Sequence, residues 1–521
     1  MTFSCRTALV VLFIFGSAVI GARASGQPAD HAPATPLQQK SAHHTAHAAA
    51  KSAEPSDSIP VTTPSALARR DYQQGMVRSE QLLYIDVGTE YFRKAVKADP
   101  KFALGHATLA YFTTDPVEEA RELKLAEFYI GKAQPDEKLE IQWMNGTKNG
   151  ELIPAISAMN DLLQRYPNDK QFANMAGEWL LSQQQNYDKA EVILERVLKQ
   201  DPSYFPAMNN LAYCYALGGK ANLAPKLMAD YVAALPGQPN PQDSYGEILR
   251  MQGDFNDALD HYRTALKIAP NFISSQLGIA TTYALMGDED RARAEYLKAI
   301  AMTTDRRTKM DYKIFWAMTY FRENDLENGR KEFTNLAKQA HAQGLSYDEA
   351  ESYRDMAFFN TDPAGSMADL DAAENATEKG KYSKEGRAIE LATIWQTRAY
   401  LATRASLNDQ VELAQQKLSD AAEESRDNIV QQSFHSASGA LLFIKGQYTE
   451  AIGELEQDPE NPMSLELLAE AAGKAGEDKR AHKTLAILAG LNNELIETAF
   501  VVPQVRASLK NSDTALHSSS Q

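Results

Sequence analysis

The sequence predicts an all-α chain built from repeated pairs of helices. Small residues and prolines recur every 34 positions through the middle of the chain, as Ala190, Ala224, Ala258 and Ala292 and as Pro202, Pro236 and Pro270. A fixed period of this length is typical of architectures in which one supersecondary unit stacks on the next.

The unit at 239–272 shows why each repeated residue type is needed. Gly246 and Ala258 are small because the two helices of the unit cross there, and a bulkier side chain would push their axes apart. Gly253 suits the left-handed residue that follows a first helix. Pro270 cannot continue the second helix, so it ends the unit. The pattern therefore predicts a helix, a tight turn and a second helix.

This pattern resembles the tetratricopeptide repeat family, whose fold is a right-handed α-solenoid, a superhelix of helix–turn–helix units. Four consecutive units agree in phase, at 171–204, 205–238, 239–272 and 273–306. The resemblance implies a surface for binding other chains rather than a catalytic centre, because fold alone specifies little chemistry.

The first residues are typical of a secretory signal peptide. Arg6 supplies a positive charge, residues 8–18 are almost wholly apolar, and Ala22-Arg23-Ala24 provides small residues around a cleavage site. A membrane anchor is the alternative, but it needs about 20 apolar residues. We expect a signal peptide over 1–24, cleavage after Ala24, and export from a bacterial cell to the periplasm or the medium, with no transmembrane segment in the mature chain.

Residues 25–64 are rich in Ala, Pro, Ser and His and show no apolar periodicity, which predicts a disordered linker. Its histidines, His31, His43, His44 and His47, could form a weak metal-capturing tract or belong to a biased spacer. The spacer is favoured, because no folded frame fixes ligand geometry.

The rest of the chain divides by the quality of its repeats. We expect an N-terminal repeat array at 65–344 and diverged helical repeats at 345–428, which form either a hinge or worn units. C-terminal units with a closing helix are expected at 429–510, and a disordered polar tail at 511–521.

Composition limits the classes of partner and reaction. The formal net charge of −16 disfavours a nucleic-acid groove, which needs clustered Lys and Arg, and favours a basic protein partner. The motifs for nucleotide, zinc and nucleophilic chemistry are missing from the sequence. The sequence therefore predicts a protein that is not an enzyme, with no catalytic residue, cofactor or metal site.

In the family that this chain resembles, first helices line the concave wall of the superhelix and bind peptides or partner helices. The resemblance, carried over unit by unit, selects Met175, Trp179, Ser182, Asn209, Tyr213, Asp243, Glu247, Arg250, Thr281, Ile314, Met318 and Phe321. A clamp for a C-terminal carboxylate is not expected, since Arg250 is the only cation among them. Two alternatives stay open: Trp179 contacts a ligand or a neighbouring helix, and Glu247 and Arg250 serve a ligand or pair along their own helix.

These observations favour a non-catalytic scaffold that binds an unidentified protein or peptide on its concave face. An alternative is an envelope-assembly subunit for polysaccharide export or pilus biogenesis. A further alternative is a cell-wall or glycan-acting enzyme with a helical superhelix. Nothing in the sequence indicates the oligomeric state.

Overall fold

The computed structural model of the protein describes residues 57–81, 85–113 and 115–518. The predicted signal peptide, most of the predicted linker with its four histidines, and the last three residues lie outside this range. Over the described residues the chain is helical and contains no β-strand. The predicted all-α solenoid is confirmed.

Helices of similar length follow one another in antiparallel pairs. The first six are α1 (Ala66–Met76), α2 (Ile85–Ala98), α3 (Ala103–Phe112), α4 (Pro116–Tyr129), α5 (Pro135–Asn149) and α6 (Leu152–Arg165). The four units expected to agree in phase contain α7 (Lys170–Ser182), α8 (Tyr187–Gln200), α9 (Phe205–Leu217), α10 (Ala224–Ala234), α11 (Pro239–Gln252), α12 (Phe255–Ile268), α13 (Ile273–Leu285) and α14 (Glu289–Met302).

The helices continue through the diverged region to the C-terminus. They are α15 (Arg306–Arg322), α16 (Leu326–Gln343), α17 (Ser346–Phe358), α18 (Pro363–Lys379), α19 (Lys384–Arg404), α20 (Asn408–Glu424), α21 (Asn428–Ile444), α22 (Tyr448–Leu455), α23 (Pro462–Lys474), α24 (Asp478–Ala489) and α25 (Ile496–Ser518). None of the described helices is both long and apolar enough to cross a lipid bilayer.

The turn and crossing positions behave as the unit at 239–272 predicts. Gly253 ends α11 in the left-handed region, with φ of 87°. Ala258 is fully buried, and a Cβ atom on Gly246 would lie 3.0 Å from the Tyr262 ring and 3.1 Å from the Ala258 carbonyl oxygen. Small residues at these positions therefore let the two helices approach each other closely.

Both ends of the repeat array differ from the sequence-based bounds. Residues 57–63, predicted to belong to the linker, pack on the array: the Ile59 N–H donates to Asp169 Oδ2 at 2.9 Å and the Thr62 N–H donates to Glu137 Oε1 at 3.0 Å. At the other end α25 continues to Ser518, so most of the predicted tail is helical. Ile59 is buried in the apolar core and Val61 packs against it, which the composition of the linker did not reveal.

Helices that are far apart in sequence also touch, because the superhelix winds back on itself. Helix α5 contacts α19, and the closing helix α25 contacts α15 and α17. Between α7 and α8, Gln185 accepts hydrogen bonds from Asn428 at 3.1 Å and from Gln432 at 2.9 Å. The C-terminal units thus close over the inner side of the N-terminal units.

The apolar core forms two clusters that meet on α11. One cluster runs from Ile59 to Ile248 and the other from Leu249 to Val505, and Tyr245 packs against both. The second cluster includes side chains from α17 to α20, so the diverged region shares a continuous core with its neighbours.

Candidate partner-binding cleft

The side chains expected to line a concave wall are buried or half-buried in the structure. Eleven of them are at most 3 % exposed: Met175, Trp179, Asn209, Tyr213, Asp243, Glu247, Arg250, Thr281, Ile314, Met318 and Phe321. The twelfth, Ser182, is half-buried and donates a hydrogen bond to Glu178 at 3.1 Å. They are therefore not exposed in this conformation, and their role in binding a partner stays a prediction.

The polar part of this wall is paired within the chain. Arg250 Nη1 donates to Glu494 Oε2 at 2.8 Å and Arg250 Nη2 donates to Glu247 Oε1 at 3.3 Å. The Tyr213 hydroxyl donates to the other oxygen of Glu247 at 2.7 Å. Burial raises the pKa of Glu247 to about 8, although Arg250 opposes this shift. Arg250 therefore pairs with Glu247 along its own helix and with Glu494 of the C-terminal segment.

The apolar part of the wall is packed between helices. Trp179 lies edge-on to Trp143, with 6.5 Å between ring centroids. Phe321 stacks on Phe333 and on Phe359, at centroid distances of 5.1 and 4.1 Å. Trp179 thus contacts a neighbouring helix in this conformation.

Two smaller polar contacts complete the wall. Ser275 donates to Asp243 at 2.6 Å, and burial raises the pKa of Asp243 to about 7. The hydroxyls of Thr281 and Tyr296 are 3.1 Å apart. A cavity of about 10 Å³ remains beside these residues, and one of about 30 Å³ lies between α5 and α19. Spaces of this size hold a water molecule or two, not a peptide.

A much larger cleft, of about 900 Å³, opens at the N-terminal ends of the first helices. Residues 57–61 and helix α1 form one side, and the starts of α7, α9 and α11 form the other. The repeat itself builds this second side: Lys170, Tyr204 and Gln238 are 34 residues apart and occupy equivalent places in successive units. The volume lies within the range of roughly 300–1,000 Å³ that ligand pockets have.

The walls of the cleft are largely apolar and aromatic. The apolar side chains that line it are Ile59, Val61, Tyr72, Met76, Val77, Phe172, Met175, Tyr204, Phe205, Pro206, Tyr231, Leu235 and Pro241. The Phe205 and Tyr231 rings stack with centroids 6.0 Å apart. Aromatic side chains of this kind tend to anchor interfaces, because they bury a large area with few rotatable bonds.

Carboxylates outnumber cations in the cleft. The charged lining residues are Asp57, Glu140, Asp169, Lys170 and Asp201. Lys170 Nζ donates to Asp201 at 2.6 Å, and this hydrogen bond lowers the pKa of Asp201 to about 2. Asp169 is also occupied, since its two oxygens accept the backbone N–H groups of Ile59 and Phe172. The field inside the cleft is therefore negative.

Glu140 differs from these carboxylates. It is 6 % exposed, and within the described residues no hydrogen bond or ion pair reaches its carboxylate. Burial, together with the charges of Asp169 and Glu137, holds the pKa of Glu140 well above its usual range. A buried carboxyl group that lines an open cleft without a partner is suited to accept a donor from a ligand.

The sequence did not predict this cleft, although the position of Glu140 within its repeat unit was a signal that could have indicated part of it. The fifth position of a unit was taken to face inward, and Met175 occupies it in the unit at 171–204. Glu140 occupies the fifth position of the preceding, out-of-phase unit that begins near residue 136. The segment that contains Ile59 and Thr62 could not be placed by the repeat, because its contacts with Asp169 and Glu137 span 110 and 75 positions.

Comparison with known proteins agrees with this architecture. Residues 181–246 and residues 242–272 each match a family profile described as tetratricopeptide repeat. The matched stretches carry the same turn glycine and crossing residues that define the helix pairs here. Residues 181–272 of this chain therefore carry tetratricopeptide repeats. Such repeats generally mediate protein–protein interaction and are generally non-catalytic.

One curated relative is the TPR repeat-containing protein YpiA of Bacillus subtilis (strain 168). The two are 25 % identical over 214 residues, which cover 39 % of this chain and 50 % of YpiA. The aligned part of the chain thus spans about half the length of that relative.

Solved tetratricopeptide structures resemble parts of the chain. The thermophilic protein TTC0263 of Thermus thermophilus is 24 % identical, with a TM-score of 0.29 over 33 % of this chain and 91 % of that one. The Cut9–Hcn1 hetero-tetramer of APC/C is 16 % identical, with a TM-score of 0.36 over 80 % of this chain and 78 % of that one. PilW, a type IV pilus biogenesis factor, is 15 % identical, with a TM-score of 0.29 over 45 % of this chain and 93 % of that one.

Among the described residues, no group of three or more His, Cys, Asp or Glu side chains is placed to hold a metal ion. The one cysteine among them, Cys214, is buried and free, and burial raises the pKa of its thiol to about 12. A thiol with so high a pKa is a poor nucleophile near neutral pH.

Proposed function

We propose that this protein is a non-catalytic scaffold, exported to the periplasm or the medium, that captures a segment of a partner protein in the cleft described above. The proposal keeps the scaffold function that the sequence favoured and changes the surface that performs it. The side chains first expected to bind a partner are buried among the chain's own helices, whereas the cleft is open.

The observation that carries this proposal is the way the cleft is built. Equivalent positions of three consecutive units line it, so its apolar strip follows the direction in which the units stack. The opposite side already holds a non-helical stretch of polypeptide, residues 57–61, whose Ile59 N–H is bound by a carboxylate at 2.9 Å. A second stretch of polypeptide fits the same combination of apolar wall and peptide-binding acceptors.

The test is crosslinking in cells that express the full chain, followed by recovery and mass spectrometry. Two variants address the cleft: Phe205→Ala removes an aromatic contact, and Gln238→Trp places a bulky group at an exposed lining position. We expect both to lose the same partner by at least about tenfold, since a buried aromatic contact at an interface is worth more than about 1.4 kcal/mol.

Matched controls separate loss of binding from loss of folding. Phe128→Ala removes an aromatic ring that is 77 % exposed on α4, and Gln416→Trp adds the same bulk on the exposed face of α20. Neither should change partner recovery. If all four variants and the native chain recover the same proteins in equal amounts, the cleft is not the binding surface and the proposal fails.

The exported location is tested separately. After osmotic shock of the native host, the chain should be released, and its N-terminal sequence should begin at Ser25. Recovery with the cytoplasmic fraction and an intact first segment would contradict this part of the proposal.

A further inference from the structure

Glu140 is the feature of the cleft that the scaffold function alone does not explain. The side chain lies on α5, is 6 % exposed, and lines the open volume next to Tyr72 of α1. Removing a carboxylate from water without a hydrogen-bonding partner costs free energy, so most proteins place a donor or a cation beside it. The described residues supply neither.

The groups around Glu140 make its position still less favourable for the empty chain. Glu137 precedes it on the same helix, and Asp169 faces it from the start of α7; the negative charge of each raises the pKa of Glu140. The Tyr72 hydroxyl, which accepts a hydrogen bond from Thr108 at 3.5 Å, is neutral. Lys170, the one cation that lines the cleft, is bound to Asp201 at 2.6 Å instead.

A cationic group entering the cleft would be stabilised by all three carboxylates. A metal ion is a poor fit, because Asp169 and Glu137 already accept backbone N–H groups from residues 57–63 and no group of three metal-binding side chains is found among the described residues. The long stem of a lysine or arginine side chain fits better, since the apolar walls can pack against it while its charged end reaches the base.

We propose that the cleft selects its partner through a lysine or arginine side chain that inserts between the apolar walls and pairs with Glu140. This inference rests on the proposed function and names the chemistry of the segment that is captured. Glu140 is then a specificity-determining residue, and the aromatic lining contributes affinity without discrimination.

The experiment uses the full mature chain and synthetic octapeptides, acetylated and amidated at their ends. The peptides share randomised apolar flanks and carry Lys, Arg, norleucine or Glu at the centre. We expect native protein to prefer Lys or Arg over norleucine by at least about tenfold, the ratio that one charge-assisted hydrogen bond supplies. Glu140→Gln should abolish the preference, whereas Glu450→Gln, a matched change at an exposed glutamate of α22, should leave it intact.

The outcomes distinguish the inference from the function on which it rests. Binding that Gln238→Trp blocks, without a preference for Lys or Arg, overturns the inference and leaves the scaffold function standing. Peptide binding that Gln238→Trp does not block would contradict both the inference and the proposed function of the cleft. If peptides bind only after residues 25–56 are deleted, the cleft serves the chain's own N-terminal segment, and the inference is again overturned.

Thermal unfolding of the empty protein distinguishes a ligand-binding role of Glu140 from a structural one. If Glu140 serves a ligand, Glu140→Gln should leave the thermal unfolding midpoint of the empty protein unchanged or raise it, because a buried unpaired carboxyl group is replaced by a neutral one. A lower midpoint would assign Glu140 to the fold and contradict the inference.

Discussion

Arg250 is a charged side chain that the superhelix encloses almost completely. It is 2 % exposed and joins Glu247 on its own helix to Glu494, which lies 244 residues further along the chain. Charges held so far from water are stabilised only while their partners stay in place. The ion pair is therefore one of the contacts that hold the C-terminal units against the middle of the array.

Glu494→Ala tests this contact. Removing one partner of a buried ion pair leaves the other uncompensated, so we expect the free energy of unfolding to fall by about 3 kcal/mol. Urea unfolding followed by circular dichroism measures the change. The control is Glu450→Ala at an exposed position of α22, which should alter stability by less than about 0.5 kcal/mol.

A double variant, Arg250→Met with Glu494→Ala, should recover part of the loss, since the unpaired cation is then removed and Glu247, whose pKa burial raises to about 8, can stay neutral. Equal stability of Glu494→Ala and native protein would mean that the closing segment does not dock on α11 in solution.

At the scale of helices, the fold depends on small residues where the two helices of a unit cross. Ala190, Ala224, Ala258 and Ala292 have no exposed surface, as their spacing in the sequence predicts. The residue type at such a position is set by local geometry. Each alanine lies within one helix pair, and the residue that it faces on the other helix is only about a dozen positions away. That is why the repeat positions could be recognised without a structure.

Ala258→Leu tests the crossing in the unit at 239–272. The added atoms would press on the first helix near Gly246, where even a single Cβ atom would meet the Ala258 carbonyl at 3.1 Å. We expect a loss of about 1–3 kcal/mol, measured as a lower unfolding midpoint. Asn256→Leu adds similar bulk on the exposed side of the same helix and serves as the control. An unchanged midpoint for Ala258→Leu would contradict the assigned crossing.

At the scale of the whole molecule, closure of the superhelix could not be predicted from the repeats. The pattern predicted that Trp179 and Arg250 face the inner side, and in the structure both are buried. Whether an inner side chain meets a partner or the chain itself depends on the sum of small rotations between successive units. It also depends on contacts such as Gln185 with Asn428. The cleft escaped prediction for the same reason, since residues 57–61 and Glu140 meet only in the folded array.

Closure also encloses many carboxyl groups, which makes stability depend on pH. Burial raises the pKa of Glu178, Asp427 and Asp458 to about 7 each, compared with roughly 4 for carboxyl groups in an unfolded chain. The folded state therefore binds more protons than the unfolded state between these values. Stability from this source is complete below about pH 4 and is lost as pH rises through about 7.

We expect the thermal unfolding midpoint to fall as pH is raised from about 5.5 to 8.5, because each unit of pKa difference corresponds to about 1.4 kcal/mol. Repulsion within a chain of net charge −16 would act in the same direction. Salt separates the two causes, since 0.5 M NaCl screens surface charges but leaves buried groups little affected. A slope that persists in salt supports the buried carboxyl groups, and one that disappears contradicts them.

Asp458→Asn identifies one contributor to that slope. Asp458 is 4 % exposed, and its Oδ2 accepts hydrogen bonds from Ser464 at 2.6 Å and from Gln396 at 2.7 Å. The carboxamide of asparagine keeps an acceptor for both and cannot ionise, so the variant should lose less stability than native protein between pH 5.5 and 8.5. Asp420→Asn, at an exposed carboxylate of α20, should keep the native slope. Identical slopes for Asp458→Asn and native protein would mean that Asp458 ionises in the folded chain as readily as in the unfolded one.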